Sequence, residues 1–352
     1  MPFTTRDVET AEGRTSNARP GSELEEAPAM GVSDVTTGAT AADALRVAEK
    51  TPIADGVIRV KLRHPLGDRL ADWTPGSHID LHLPNGLVRQ YSLCGDRWDP
   101  LTYEIAVRLD VGGQGGSAYL HDTLEVGDLV AVGGPRNNFR LVPAAEYLFL
   151  AGGIGITPLL PMIEAVERME LPYRLLYTGR TRRSMAMADE LAERGPHVEL
   201  YASEEGRRLD LSAAYRDAVR IPVYACGPQS FLDELQSAAV GRDDAHLLKM
   251  ERFQAVVLSA PARATSFRIR LVRRGVEIDV VPEKSILEVV QEAGVPVLSS
   301  CGMGVCGTCE TAVISGRPDH RDSLLDEAER ADNSCMFICV SRSIDDHLTL
   351  DL

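Results

Sequence analysis

Residues 301–309 read Cys-Gly-Met-Gly-Val-Cys-Gly-Thr-Cys, three thiols in a C-x4-C-x2-C spacing. Cys339 follows Cys309 after 29 residues and completes a set of four thiolates, an arrangement that holds a 2Fe-2S cluster. Cys335, four residues before Cys339, competes for the fourth place. Gly302, Gly304 and Gly307 let the loop wrap tightly, so that backbone N–H groups turn toward the sulfurs and offset their negative charge. A zinc site is the bland alternative, but such sites tend to repeat short C-x2-C pairs and only one is present. A disulfide framework fits less well still with seven cysteines, an odd number, in a long chain.

The segment 265–352 resembles a plant-type ferredoxin. Within it, Pro318-Asp319-His320-Arg321-Asp322 and Cys339-Val340-Ser341-Arg342 are similar to the C-terminal domain of the phthalate dioxygenase reductase family. The resemblance implies a β-grasp fold with Cys301, Cys306, Cys309 and Cys339 as cluster ligands, and leaves Cys335 as a small buried side chain. The same segment carries nine Lys and Arg against fifteen Asp and Glu, and is therefore acidic.

With 352 residues, 44% of them apolar and 25% charged, the chain has length for two or three domains and an ordinary globular composition. A net charge of −15 argues against nucleic acid, whose phosphates it would repel, and can instead steer a basic partner. No apolar run approaches the roughly 18 residues of a membrane-spanning helix. With free thiols reserved for a cluster, a cytoplasmic protein is expected. Residues 1–42 lack apolar periodicity and read as a disordered tail.

From there the pattern turns to period two. Ile58, Val60 and Leu62 alternate with Arg59, Lys61 and Arg63, and Ile79, Leu81 and Leu83 with His78, Asp80 and His82. With further short strands at 90–93, 103–108 and 129–132, residues 43–143 are expected to form a small antiparallel barrel. Alternation puts Arg89, Tyr91 and Leu93 on one face and Ser92 on the other. Arg89-Gln90-Tyr91-Ser92 resembles the R-x-Y-S flavin motif of the ferredoxin-reductase superfamily. The resemblance assigns the Arg to phosphate, the Tyr to the ring system and the Ser to the neighbourhood of the reactive flavin nitrogen; a plain edge strand is the alternative. The loop 112–117, Gly-Gly-Gln-Gly-Gly-Ser, is suited to lay backbone N–H groups and a hydroxyl around a phosphate, with Gly115, Gly116 and Ser117 leading into a short helix. A single phosphate loop with no evident adenine lobe favours FMN over FAD, as in the family.

Residues 144–253 change character again. An apolar run at 147–151 precedes Gly152-Gly153-Ile154-Gly155-Ile156-Thr157-Pro158 and an amphipathic stretch: strand, tight turn and helix, the arrangement by which α/β folds bind a dinucleotide pyrophosphate. The string is not G-x-G-x-x-G but resembles the nicotinamide-binding domain of the same superfamily. Strands at 174–178, 198–202 and 223–225 with helices at 184–193 and 228–240 predict a parallel sheet. Arg180, past a strand end, lies where the adenosine ribose or phosphate would pass, with Arg182 and Arg183 beside it. The resemblance sets Cys226-Gly227-Pro228 beside the nicotinamide ring, although Cys226 also reads as a buried core thiol. A last strand at 246–250 leads to Glu251 and Phe253, which match by position a carboxylate and a flavin-facing aromatic of the family; ordinary packing explains them equally. Residues 254–264 read as a linker. The last domain then opens as a hairpin, followed by a helix at 285–293 that Ser285 and Glu288 cap.

The expectation is thus a multi-domain protein: an antiparallel β-barrel flavin domain, an α/β parallel-sheet nucleotide-binding domain and a β-grasp ferredoxin domain. By resemblance it is a monomeric NADH-dependent reductase that passes electrons from NADH through FMN and a 2Fe-2S cluster to a separate terminal oxygenase. A Rieske-type oxygenase or demethylase is the first partner to expect, and a haem-thiolate monooxygenase the second. Ser92, Cys226 and Glu251 would border the hydride path. A non-catalytic zinc or redox-sensor protein is the reading of another class, and it leaves the 152–158 turn and the 89–92 strand unexplained.

Overall fold

The computed structural model describes residues 44–84, 86–254, 260–325 and 327–352. The expected tail 1–42 and the 255–259 part of the expected linker lie outside the described residues.

Six strands, β1 (Ala44–Ala54), β2 (Val57–Arg63), β3 (His78–His82), β4 (Val88–Ser92), β5 (Tyr103–Arg108) and β6 (Leu129–Arg136), pair antiparallel in the order β4-β3-β6-β1-β2-β5. A bridge between Leu93 and Ile105 brings the two edge strands together and closes the sheet into a barrel. The period-two pattern has its expected consequence: Val60, Leu62, Ile79, Leu81 and Ile105 are fully buried inside. Helix α1 (Gly116–Asp122) lies between β5 and β6. Strand β1 is absent from the sequence reading, because register shifts after Val47 and Pro52 break the alternation that would have announced it.

The second sheet holds β7 (Tyr147–Gly152), β8 (Tyr173–Gly179), β9 (Val198–Ala202), β10 (Val223–Cys226) and β11 (Leu248–Glu251), all parallel, in the order β11-β10-β7-β8-β9. Helices α2 (Leu160–Arg168), α3 (Ala188–Ala192), α4 (Leu211–Asp217) and α5 (Gln229–Ala239) connect them. The helix expected at 184–193 is two pieces instead: a 3-10 turn at Arg182–Ser184, capped by Thr181, and then α3. Met187 at φ 54° interrupts them. The last strand begins at Leu248 rather than at 246, behind a 3-10 turn at Ala245–Leu247.

The third sheet runs β13-β12-β18-β14-β16, from β12 (Phe267–Leu271), β13 (Val276–Val280), β14 (Glu310–Ser315), β16 (Cys335–Phe337) and β18 (His347–Leu350). The ribbon of β15 (Pro318–Asp319) with β17 (Arg342–Ser343) stands beside it. β12 pairs antiparallel with β13 and parallel with β18, and α6 (Ile286–Glu292) buries Ile286, Leu287, Val289 and Val290 in the core: a β-grasp fold. Its cap is reciprocal, Glu288 N donating to Ser285 Oγ at 3.1 Å and Ser285 N to Glu288 Oε2 at 2.7 Å.

The apolar cores are divided unequally. One cluster mixes Val57, Cys94, Ala106 and Phe139 of the barrel region with Tyr147, Phe149, Leu160 and Tyr224 of the parallel-sheet domain, so these two domains share a core. Among the described residues the ferredoxin cluster contains only residues from Phe267 onward.

The parallel sheet turns at one point. From β7 the chain steps outward to β8 and β9, then returns to the other side of β7 as β10 and β11, so the connections leave β7 and β10 in opposite directions and open a crevice at their carboxyl ends. Gly155 closes its floor: a Cβ there would stand 2.2 Å from the Cys226 carbonyl oxygen. We expect Gly155→Ala to destabilise the protein by roughly 1–3 kcal/mol through overpacking, a fall of several degrees in Tm by calorimetry, with weaker nucleotide binding.

Candidate active site and metal centre

The crevice is lined by the two turns that the sequence singled out. Ala151 at the end of β7 is in register with Cys226 at the end of β10, so Gly152-Gly153 and Gly227-Pro228 leave the sheet side by side. A Cβ on Gly152 would meet Pro228 at 2.7 Å, and one on Gly227 would stand 3.1 Å from the Gly152 Cα. Thr157 is buried, its Oγ1 donating to Ile154 O at 3.0 Å. These contacts leave backbone as the surface that a pyrophosphate would approach.

Cys226 is fully buried, and on the neighbouring strand it is in register with Glu251. Burial, and secondarily the Glu251 carboxylate, pushes the Cys226 thiol well above its ordinary range, so the sulfur stays protonated. Burial likewise raises Glu251 to about 8, against a smaller opposing effect of the Ser92 hydroxyl. Ser92 Oγ donates to Glu251 Oε2 at 3.5 Å across 159 residues of chain, bringing the end of β4 in the barrel to the end of β11. The sequence nominated all three residues separately, and the fold assembles them. Phe253, two residues beyond Glu251, keeps 40% of its surface exposed.

On the barrel, Arg89 reaches over the 112–117 loop. Its Nη2 donates to Gln114 Oε1 at 2.8 Å, and a Cβ on Gly116 would lie 2.7 Å from its side chain. Gly115 caps α1 at φ 85°, and Ser117 Oγ accepts from Asp110 N at 2.9 Å. A guanidinium over a glycine turn is a fit cradle for a phosphate. Tyr91 is partly buried against the barrel core, and burial raises its phenol so that it stays neutral. Gln114 escaped the sequence reading, although it is the one long side chain in a glycine loop. Also missed was the buried Asp80, which accepts from Gln90 Nε2 at 2.8 Å and pairs with Arg136, tying β3 to β4 and β6.

Of the three arginines past β8, two are engaged: Arg182 Nη2 lies 3.0 Å from Asp189 Oδ1 and Arg183 Nε 3.4 Å from Asp55 Oδ2. Arg180 is exposed at the strand end, its carbonyl accepting from Glu204 N at 3.0 Å.

The cysteines gather as two pairs. Hydrogen bonding between Cys301 and Cys306 lowers Cys306 and raises Cys301, and the same sharing between Cys309 and Cys339 lowers Cys309 and raises Cys339. Backbone N–H groups turn in as the glycine spacing requires: Met303 N donates to Cys301 Sγ at 3.3 Å and Thr308 N to Cys306 Sγ at 3.4 Å, with Gly304 at φ 70°. Among the described residues no group of three or more Cys, His, Asp or Glu converges on a single-ion site. Two thiol pairs suit the two irons of a 2Fe-2S cluster better than one tetrahedral zinc. Cys335 stands apart on β16 opposite Ala312. No other cysteine is among the groups that shift its thiol, which burial, then the charges of Glu310, Asp322, Glu329 and Asp332, raises.

Two family models match the chain, an oxidoreductase FAD-binding domain over residues 44–141 and a 2Fe-2S iron-sulfur cluster binding domain over residues 269–343. The solved structure of phthalate dioxygenase reductase, a modular structure for electron transfer from pyridine nucleotides to [2Fe-2S], is 35% identical with a TM-score of 0.63. The match covers 88% of this chain and 97% of that one. This chain belongs to the phthalate dioxygenase reductase family. Phenoxybenzoate dioxygenase subunit beta of Ectopseudomonas oleovorans is 44% identical over 302 residues, 85% of this chain and 94% of that relative. An intact type IV self-sufficient cytochrome P450 monooxygenase matches with a TM-score of 0.83 and 38% identity over 88% of this chain, which spans 41% of that longer protein. The reductase is therefore an electron-transfer oxidoreductase with a flavin and a 2Fe-2S domain. No helix among its described residues is long and apolar enough to cross a membrane.

We expect Cys339→Ser to remove the cluster and Cys335→Ser to leave it bound, read as iron per protein and as the visible iron-sulfur absorbance. Iron lost in the Cys335 variant and kept in the Cys339 variant would reverse the assignment.

Proposed function

We propose that this reductase oxidises NADH at the β7–β10 crevice and passes the electrons through FMN and the 2Fe-2S cluster to a separate terminal oxygenase. The carrying observation is the Ser92–Glu251 contact, which joins the phosphate-cradling barrel to the edge of the nucleotide crevice. A bound flavin and cluster would supply the conversion of a two-electron hydride donor into single electrons.

The residues supply the rest. Arg89 and the turn at Gly115, Gly116 and Ser117 would hold the flavin phosphate, Tyr91 would border the ring and Phe253 would cover it. Gly152, Gly153, Gly155 and Thr157 would seat the dinucleotide, with Cys226, Gly227 and Pro228 beside the nicotinamide. Below about pH 8 the Glu251 carboxyl carries its proton and is uncharged, so Glu251 and the Ser92 hydroxyl can hold a proton beside the transfer path without repelling electron density arriving there. The thiol of Cys226 stays neutral for the same reason. Cys301, Cys306, Cys309 and Cys339 would ligate the cluster.

FMN is preferred to FAD, the group of the matching family model, because the described residues of the barrel carry one such glycine cradle, flanked by short connections, 109–115 and 123–128. NADH is preferred to NADPH because Arg182 and Arg183 are already paired with carboxylates, leaving Arg180 alone of the three to meet a 2′-phosphate. The acceptor is a Rieske-type oxygenase or demethylase, in keeping with the dioxygenase names of the relatives. The likeness to the self-sufficient cytochrome P450 favours a haem-thiolate acceptor as the second reading. A monomer is the proposed state.

We expect kcat/KM to favour NADH over NADPH by at least tenfold, the discrimination of about 1.4 kcal/mol in transition-state binding; a preference for NADPH would reassign Arg180. A chain truncated after Phe253 should keep the shared core, bind flavin and reduce ferricyanide from NADH. Its reduction of cytochrome c should fall sharply, because the acidic ferredoxin domain carries the exit to a protein acceptor. Equal cytochrome c rates in both chains would mean that the flavin serves the partner directly.

A further inference from the structure

We propose that Asn138 is the positioning residue that holds the cluster loop against the barrel and thereby sets the rate of electron passage between the two redox centres. The inference rests on the electron path proposed above and adds the contact that maintains it. Asn138 follows β6, and its Nδ2 donates to the Cys306 carbonyl oxygen at 2.8 Å, across 168 residues of chain. The next residue of the loop, Gly307, has φ 75°, and a Cβ there would come to 2.5 Å of the same Nδ2, so the carboxamide lies flush on the loop.

Both sides of the contact are rigid. Asn137 donates from Nδ2 to Thr74 Oγ1 at 2.7 Å and Pro75 O at 2.8 Å, and accepts from Phe139 N at 2.8 Å. Phe139 is buried in the core shared by the barrel and parallel-sheet domains, and its carbonyl oxygen lies 1.9 Å from where a Cβ of Gly76 would stand. On the other side Cys306 is only 2% exposed, and its sulfur accepts from Thr308 N at 3.4 Å. Among the described residues the ferredoxin core, by contrast, contains only residues from Phe267 onward, and no apolar cluster there joins this loop to the barrel. Electron transfer slows steeply as centres separate, and a directional hydrogen bond to the backbone of a cluster cysteine controls that separation.

The test compares the full-length holoprotein with Asn138→Asp, which keeps the shape but turns an acceptor toward the Cys306 carbonyl, and with Asn138→Ala. Expected in both are unchanged cluster absorbance, ferricyanide reduction within about twofold, and a three- to tenfold lower kcat for cytochrome c at unchanged KM, roughly the worth of one hydrogen bond. Backbone amides 302–308 should exchange hydrogen faster. A cytochrome c kcat equal to that of the parental chain overturns the proposal. So does loss of the cluster, which would make Asn138 a support of the loop itself. A parental chain that reduces neither acceptor from NADH overturns the proposed function, and this inference with it.

Discussion

Ser92 and Glu251 meet at 3.5 Å because a barrel and a parallel sheet share one apolar core, and the placing of the candidate site depends on that sharing. Val57, Ala106 and Phe139 pack into the cluster that Tyr147, Phe149 and Tyr224 build, the rings of Phe139 and Tyr224 standing edge-on at 5.5 Å. Tyr224 reinforces the junction with its hydroxyl, which accepts from Val142 N at 2.7 Å and donates to Arg140 O at 3.1 Å. With the two domains fused in this way, the end of β4 has a fixed position relative to the ends of β10 and β11. The same exclusion of water raises Glu251 and Cys226, so the residues bordering the proposed hydride path are neutral at neutral pH.

The cluster loop is governed by a different constraint, the need to bring four sulfurs together with backbone donors aimed at them. Gly302, Gly304 and Gly307 all lie at positive φ, and a side chain on Gly304 would run into Val340 at 2.6 Å and Asp322 at 3.1 Å. Asp322 is buried, and its Oδ1 accepts from Leu324 N and Leu325 N at 2.9 and 2.8 Å, while Ser323 N donates to Gly304 O at 2.9 Å. The Pro318-Asp319-His320-Arg321-Asp322 string that first suggested the family thus has a physical role: its last residue caps a turn that backs the cluster loop.

What the sequence revealed follows the range of the forces involved. Local patterns were legible: the cysteine spacing, the glycine turn after β7, the alternation in β2 and β3, and the Ser285–Glu288 cap. The domain succession was legible because each domain carries its own local signature. Partners distant in the chain were not. Nothing near Arg89 announces Gln114 as its acceptor, and nothing near Ser92 announces Glu251. Elements that break their own pattern were hidden too. Strand β1 loses alternation at its two register shifts, and the region before α3 reads as helix until Met187 takes a left-handed conformation. Helix α4 is only seven residues long, and its one signal is Asp210, whose carboxylate accepts from Ala213 N at 2.8 Å.

The contrast between the two junctions bears on how such a chain operates. The barrel and the nucleotide domain are joined by buried aromatic and aliphatic surface, which is costly to separate, so their relative placement is permanent. Among the described residues the ferredoxin domain meets the barrel through the hydrogen bond of Asn138 to Cys306, worth about 1 kcal/mol net. A bond of that strength orients the cluster loop toward the barrel without an apolar seal. A domain that must take an electron on one side and present it to a separate protein on the other gains from that arrangement. Under the proposed function, hydride transfer needs fixed geometry, which a shared apolar core supplies, whereas delivery needs exchange between partners, which a polar contact such as that of Asn138 permits.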